Sequence, residues 1–315
     1  MKKSLLVVLL FLLAGCYNEN VQQLVPYEPY IAEVDVSNLQ HAYSFEKVKV
    51  YTGDAYDVTT SAQLLLEDAK YIKQVYGEIA YIENEQSLTA YLQEQLSHYD
   101  LRMGIHYRSA NAPAAVIEDV FEQLMNANDL ISGTLLGYEY GLEKVEDGYF
   151  IDINAMFTIN KIELASINQQ MDEYMLELNL DGLSDYEKTK KIYAFVIEKM
   201  EYVSTDQIKE HSIKGFVEGQ GVCQAYAVAI NYLLERANVE SRYIIGDIKT
   251  NYITDFTGHA WNMVKLDGLW YHLDATWDDD TDEWSFFLVS DDVMEQSRTW
   301  KTQYYEVALK NFGEQ

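Results

Sequence analysis

The sequence predicts an α+β protein of two domains, on the basis of three observations. Apolar residues recur at helical spacing in several stretches, including "SAQLLLEDAKYIKQVYGEIA" from residue 61. The stretch "TLLGYEYGLEKVEDGYFIDINAMFTI" contains two β-rich runs around Glu146-Asp147-Gly148. Asp267-Gly268 marks a second hairpin between two further β-rich runs. Apolar residue types make up 48% of the 315 residues, which is enough for two moderate cores.

The N-terminus has the three regions of an export signal. Lys2 and Lys3 precede an apolar run over residues 5–13, which is too short to cross a bilayer as a helix. The sequence then continues Leu13-Ala14-Gly15-Cys16 and resembles the lipobox of bacterial lipoproteins. The resemblance implies removal of residues 1–15, lipidation of Cys16 and anchoring of an extracytoplasmic protein to the cell membrane. The alternative is an ordinary signal peptide with a cysteine there by chance.

The rest of the chain divides into three predicted segments. Residues 16–58 contain two of the three prolines and read as a tether, and residues 59–180 predict a smaller α+β domain. That domain carries no chemical motif, so we expect it to act in spacing, docking or substrate positioning. Asp181-Gly182 breaks the chain before a capping box at Ser184 and Glu187, and residues 181–315 form the second domain.

The strong negative charge excludes nucleic acid as a partner. The formal net charge is −28, and loss of Lys2 and Lys3 with the leader makes it more negative. Any membrane attachment therefore depends on the lipid and not on basic residues. The negative charge serves to keep the protein soluble or, alternatively, to favour cationic partners.

One of only two cysteines lies in "GQGVCQAYA", residues 219–227. With Cys16 lipidated, Cys223 has no disulfide partner. Gly219 and Gly221 allow a tight turn, and the pattern after Val222 is helical, so Cys223 is predicted to begin a helix. Free N–H groups and the helix dipole favour an anion there and offer a site for an oxyanion. A buried structural cysteine fits this stretch equally well.

The stretch "GHAWNMVKLDGLWYHLDATWDD", residues 258–279, carries the candidate base and its partner. A two-residue turn at Asp267-Gly268 places His259 opposite Thr276, with Asp274 as its diagonal neighbour on the same face. Such diagonals lie about 7–8 Å apart, within reach of side chains. His272 shares this face, but His259 is preferred because it lies at the end of the hairpin far from the turn.

These two stretches and their spacing resemble the transglutaminase-like superfamily of bacteria, which is papain-like in its core. The resemblance extends from residue 184 to "WSFFLVSDD" at 284–292. It implies Cys223 as nucleophile, His259 as general base and acid, and Asp274 as the residue that orients His259. It also implies a helix carrying the cysteine packed on an antiparallel sheet that carries His259 and Asp274. Gln220 and Gln224 are close enough to Cys223 in sequence for a side-chain amide to donate to an oxyanion. The backbone N–H of Cys223 can donate to it without either of them.

The expected chemistry is acyl transfer from an amide through a thioester on Cys223, with no cofactor and no metal. Hydrolysis of a protein or peptide substrate at the cell envelope is preferred over transamidation, because a lysine acceptor needs a second organised site. The alternatives are transglutaminase-type crosslinking and a non-catalytic envelope binding module of the same fold.

Two further features have competing explanations. Asp278, Asp279, Asp280, Asp282 and Glu283 suggest either a calcium site or a solvated acidic loop, and the loop is preferred because the spacing is not that of an EF-hand. The 26 tyrosines suggest a groove for peptide or glycan, or scattered packing, which is preferred.

Overall fold

The computed structural model describes residues 7–9, 79–203, 208–249, 258–279, 281 and 283–314. Cys16, the predicted tether and nearly all of the helix predicted from residue 61 lie outside the described residues. The chain groups into two compact units, of which the first contains residues 7–9, 79–122 and 137–156, and the second contains residues 123–136 and 157–314. The domain boundaries derived from the sequence stay a prediction.

The first unit is built on a five-stranded sheet with the strand order β1-β4-β5-β3-β2. Its strands are β1 (Val7–Leu9), β2 (Ala80–Ile82), β3 (Arg102–Tyr107), β4 (Leu135–Val145) and β5 (Gly148–Phe157). Its helices are α1 (Glu85–Ser97) and α2 (Ala114–Ala127), the second of which extends past residue 122. Only the β2–β3 pair is parallel among the pairs whose register is defined.

Two local signals account for the elements of this unit. Asn84 caps α1 by accepting from Ser87 N at 2.9 Å, and Leu88, Leu92 and Leu96 then bury one face of that helix. The strands predicted on either side of residues 146–148 are β4 and β5. A Cβ on Gly148 would lie 2.2 Å from the Tyr107 carbonyl oxygen, so β5 begins where only glycine fits.

The second unit contains a helical part and a second five-stranded sheet. Its helices are α3 (Asp129–Thr134), α4 (Lys161–Leu178), α5 (Asp185–Lys199), α6 (Ile213–Glu218), α7 (Cys223–Arg236), α8 (Ala275–Asp278) and α9 (Asp291–Met294). Its strands are β6 (Glu201–Tyr202), β7 (Gln220–Gly221), β8 (Ser241–Ile248), β9 (Gly258–Leu266), β10 (Leu269–Leu273), β11 (Phe287–Val289) and β12 (Arg298–Trp300). Short 3₁₀ turns cover Ile208–His211 and Thr302–Tyr304.

The sheet of the second unit is antiparallel throughout, in the order β11-β10-β9-β8-β12. Helix α7 packs on it, and the Asn262 side-chain amide donates to the Ala227 carbonyl oxygen at 2.9 Å. The opposite face holds an apolar cluster that includes Ile244, Trp261 and Met263. The predicted α+β class, with the cysteine helix on an antiparallel sheet, is confirmed.

The central hairpin has the predicted register. Trp270 pairs with Lys265 and Leu269 with Leu266, so the turn consists of Asp267 and Gly268. Both turn residues have positive φ, 51° and 82°, as a type I′ turn requires. Strand β10 ends at Leu273 and Thr276 lies in α8, so the predicted pairing of His259 with Thr276 is wrong.

The backbone before α7 explains why the helix begins at Cys223. Gly219 ends α6 in the left-handed region with φ 82°, and β7 then pairs parallel with β6. A Cβ on Gly221 would lie 2.9 Å from the Glu210 carbonyl oxygen, so this close approach requires glycine. Val222 is extended, and helical geometry starts immediately after it.

Among the residues described, no helix has both the length and the apolar character needed to cross a membrane.

Candidate active site

Cys223 occupies the first position of α7 and is completely buried. The Val222 side chain does not cap the helix, so the first N–H groups of α7 are not taken by it. The sulfur lies 3.6 Å from the Gln224 side-chain oxygen, to which its S–H donates. The thiol therefore sits at the positive end of a helix dipole, shielded from bulk water.

His259 is the second residue of β9 and lies between Asp274 and Cys223. Its Nε2 is 2.7 Å from Asp274 Oδ2, so Nδ1 is the ring nitrogen available for its hydrogen bond with Cys223. Burial disfavours the imidazolium, but the charges of Asp274 and Cys223 and the hydrogen bonds with both outweigh burial. They raise the pKa of His259 from 6.5 to about 9. Asp274 and an ionised Cys223 therefore both favour the imidazolium form of His259.

Asp274 leaves the end of β10 and caps α8. Its Oδ1 accepts from Trp277 N at 3.3 Å, while Oδ2 faces His259. The carboxyl group is completely buried, and burial alone would raise its pKa. The neighbouring charges of His259 and Arg298, with their hydrogen bonds, prevail and lower the pKa of Asp274. The structure thus brings Cys223, His259 and Asp274 together.

Arg298 completes this group, and nothing in the sequence pointed to it. It lies on the edge strand β12 and is fully buried, with Nε 2.9 Å from Asp274 Oδ2 and Nη2 bonded to the same oxygen. The guanidinium carbon is 3.9 Å from the centre of the Trp277 ring and 4.3 Å from that of Phe286. Its side chain is positioned only by strand pairing and ring packing, which leave no local sequence signal.

His272 forms a separate buried arrangement with Trp261 and Asp291. Trp261 Nε1 donates to His272 Nδ1 at 3.0 Å, and His272 Nε2 is 2.8 Å from Asp291 Oδ1. Since Nδ1 accepts, the proton of the neutral ring is on Nε2 and is donated to Asp291. Burial is the main reason that the pKa of His272 is lowered. His272 is therefore a neutral structural histidine, and His259 is the one beside the thiol.

The acidic stretch after Asp274 is partly internal. Asp278 is buried and accepts from Tyr193 Oη at 2.6 Å and from Ser285 N at 2.8 Å. Asp279 accepts from Tyr226 Oη at 2.5 Å. These two carboxylates are satisfied by protein donors and are not simply a solvated loop, while residues 280 and 282 lie outside the described part.

Two other expectations concern the surroundings of the thiol. Gln220 is exposed with its amide 3.4 Å from Glu201 Oε2, whereas Gln224 is buried against Cys223. Within the described ranges, no group of three or more His, Cys, Asp or Glu side chains is arranged to hold a metal ion.

Comparison with known proteins finds one family model that resembles part of the chain. Residues 175–275 match the model of the transglutaminase-like superfamily. The match includes Cys223, His259 and Asp274, and it ends before Arg298. No curated protein matches this chain.

Solved structures resemble the chain at low identity. They include a TGase (10% identity, TM-score 0.33, covering 65% of this chain and 62% of the other). A candidate cysteine protease from Cytophaga hutchinsonii has 14% identity and a TM-score of 0.31, with coverage of 52% and 63%. A candidate protease from Parabacteroides distasonis has 11% identity and a TM-score of 0.25, with coverage of 55% and 39%. The chain spans less than two thirds of each of these proteins.

The raised pKa of His259 predicts a specific pH dependence of stability. The folded-state value of about 9 lies above 6.5, so the folded protein binds more protons between these values. This stabilisation is fully present below pH 6.5 and is lost as pH rises through 9, by about 3 kcal/mol. Urea unfolding across this range should show the decline, and His259→Gln should remove most of it. Equal slopes in the two proteins would contradict the assignment.

Removal of Arg298 should strongly destabilise the second unit. Arg298→Leu leaves the buried Asp274 carboxylate without a principal partner, which costs about 3 kcal/mol of unfolding free energy. The control is Arg108→Leu, which breaks the exposed Arg108–Glu83 pair at 3.0 Å and should cost less than about 1 kcal/mol. Adding Asp274→Asn to Arg298→Leu should recover part of the loss, since no unpaired carboxylate is then buried. Unfolding midpoints that are equal for both single variants would contradict this.

Proposed function

We propose that this protein is a thiol hydrolase that cleaves amide bonds in protein or peptide substrates through a thioester on Cys223. The observation that carries the proposal is the placement of His259 between Asp274, at 2.7 Å, and the Cys223 thiol at the start of α7. The match of residues 175–275 to the transglutaminase-like superfamily supports the same chemistry.

The first half of the reaction forms the thioester. The thiol proton passes from Sγ to Nδ1 of His259, and the thiolate attacks the carbonyl carbon of the amide. The carbonyl π electrons move to oxygen, and the N–H groups at the start of α7 are placed to receive the oxyanion. When the oxyanion collapses, the C–N bond breaks and the His259 imidazolium protonates the leaving nitrogen. Asp274 keeps the ring oriented throughout.

The second half returns the enzyme to its starting state. A water molecule attacks the thioester carbon while Nδ1 of His259 takes its proton, and the C–S bond then breaks. The products are a carboxylic acid and a thiolate–imidazolium pair, and return of the Nδ1 proton to Sγ regenerates the thiol. Arg298 does not exchange protons in either half. It holds the Asp274 carboxylate in place and ionised.

Burial affects both the chemistry and the approach of substrate. Cys223 has no exposed surface, and the His259 side chain is only 2% exposed. Exclusion of water strengthens the charge interactions between these groups. Because both side chains are buried, a substrate can reach the sulfur only after the side chains that cover the sulfur have moved.

The ionisation of the thiol tests this proposal. With Cys16→Ser in the full chain, Cys223 is the only cysteine, so thiolate absorbance in the ultraviolet can be assigned by subtracting the spectrum of Cys223→Ala. We expect more thiolate at neutral pH in this protein than in its His259→Ala variant, because a positive ring beside the sulfur stabilises the anion. His259→Ala should move the midpoint upward, because the imidazolium is lost. An ordinary midpoint that His259→Ala leaves unchanged would overturn the thiol-enzyme proposal and favour a binding module.

We also propose that the protein is anchored outside the cytoplasm by a lipid on Cys16. The support is the order of Lys2 and Lys3, the apolar run and Leu13-Ala14-Gly15-Cys16. Anchoring would place the enzyme beside envelope proteins and peptides.

Expression of the full chain in a bacterium tests the anchor. Mass spectrometry should find a mature N-terminus at Cys16 with the mass of attached acyl chains, and the protein should fractionate with membranes. Cys16→Ser should release it to the soluble fraction. A soluble wild-type protein that retains residues 1–15 would contradict the anchor.

A further inference from the structure

The hydroxyl group of Tyr243 has no hydrogen-bond partner in the part of the chain that the structure describes. Tyr243 lies on β8, is 1% exposed, and its Oη is fully enclosed. Buried hydroxyl groups nearly always have a partner, because an enclosed donor without one is costly. An exception therefore calls for an explanation, and the surroundings of this hydroxyl supply one.

The pairing of strands shows which side of the sheet Tyr243 faces. Tyr243 pairs directly with Asn262 of β9, and opposite residues share a face. The Asn262 side chain reaches α7, where it donates to the Ala227 carbonyl oxygen at 2.9 Å. Two residues before Tyr243, Ser241 Oγ donates to Asn231 Oδ1 of the same helix at 2.9 Å. Tyr243 therefore projects toward α7.

The same contacts show how far along α7 Tyr243 lies. Ser241 is level with Asn231, and the Tyr243–Asn262 pair is level with Ala227. The four residues from Asn231 to Ala227 rise about 6 Å along the helix, which matches two residues of strand. One more turn leads to Cys223, so the thiol lies one turn beyond the Tyr243 backbone. A tyrosine side chain is long enough to cover that distance.

Electrostatics agree with this placement. Burial is the main cause that raises the pKa of Tyr243 well above its usual value, and the charge of Cys223 is the next. The hydroxyl therefore keeps its proton over the whole working pH range. It is a donor held near the sulfur.

We propose that Tyr243 is the hydrogen-bond donor that stabilises the Cys223 thiolate. Tyr243 Oη makes no hydrogen bond to the sulfur in this structure, and a neutral thiol, as a weak acceptor, gives the hydroxyl little reason to approach it. When the proton passes from Sγ to His259 Nδ1, the sulfur becomes an anion and accepts a charge-assisted bond from Tyr243 Oη. Tyr243 keeps its own proton, and no bond other than S–H is broken.

This inference rests on the proposed thiol chemistry and extends it. The sulfur is an anion before attack on the amide and again when it leaves the thioester. A hydrogen bond from Tyr243 would thus favour formation of the thiolate and, later, its release from the thioester. Tyr243 donates this bond from the sheet, whereas His259 supplies the positive charge. Tyr243 acts on the sulfur alone and is not proposed to contact the substrate.

Tyr243→Phe tests the proposal, because it removes only the hydroxyl group. In the full chain with Cys16→Ser, the midpoint of thiolate formation should move to higher pH by about one unit. The thermal unfolding midpoint should not fall, since the removed hydroxyl had no partner in the resting state. A hydroxyl with a purely structural role would lower thermal stability and leave thiolate formation unchanged.

Tyr305→Phe is the matched control. Tyr305 is also buried, and its Oη accepts from Ile245 N at 3.4 Å and donates to Asn126 Oδ1 at 3.3 Å. Its loss should lower the thermal midpoint and leave thiolate formation unchanged.

The two proposals fail in distinguishable ways. If His259→Ala moves the thiolate midpoint and Tyr243→Phe does not, the role of Tyr243 is overturned and the thiol enzyme stands. If neither substitution moves it, the proposed function is overturned as well. A shift in Tyr243→Phe with unchanged or higher thermal stability supports the proposal.

Discussion

A buried row of alternating charges is the constraint on which the second unit depends. The row runs from Arg298 through Asp274 and His259 to Cys223. The Asp274 carboxylate has no exposed surface, and it is bonded to Arg298 Nε at 2.9 Å and to His259 Nε2 at 2.7 Å. Charges enclosed in this way are tolerable only when each has an opposite partner. Removal of Arg298 leaves the buried Asp274 carboxylate without one of its two charged partners, so the contacts that orient His259 also stabilise the fold.

The architecture brings these groups together from four separate elements. Cys223 comes from a helix start, His259 from β9, Asp274 from the cap of α8 and Arg298 from the edge strand β12. Several local features serve this convergence. The tight approach at Gly221 orients the start of α7, and the end of β10 at Leu273 frees Asp274 to leave the sheet. At Gly246, a Cβ would collide with the ring of Trp261, 2.6 Å away.

The two histidines of the hairpin show how partners decide chemistry. Both are buried on the same sheet, yet the pKa of His259 is raised to about 9 whereas that of His272 is lowered. His259 faces two anionic groups. His272 instead accepts a hydrogen bond from Trp261 and feels the positive charge of Arg298, so the carboxylate of Asp291 does not prevail over burial. Burial is common to both, and the number and sign of the neighbours make the difference.

The sequence by itself determined the features that depend on neighbours along the chain. The turn at Asp267-Gly268 sets the register of the hairpin, whose second strand ends directly before Asp274, and the glycines before Cys223 predict a helix start. Only the tertiary structure decided which distant side chains complete the site. Arg298 reaches it through strand pairing and through packing against the rings of Trp277 and Phe286. Such contacts depend on the whole sheet and leave no periodicity or spacing in the sequence, and so this partner of Asp274 was visible only in the fold.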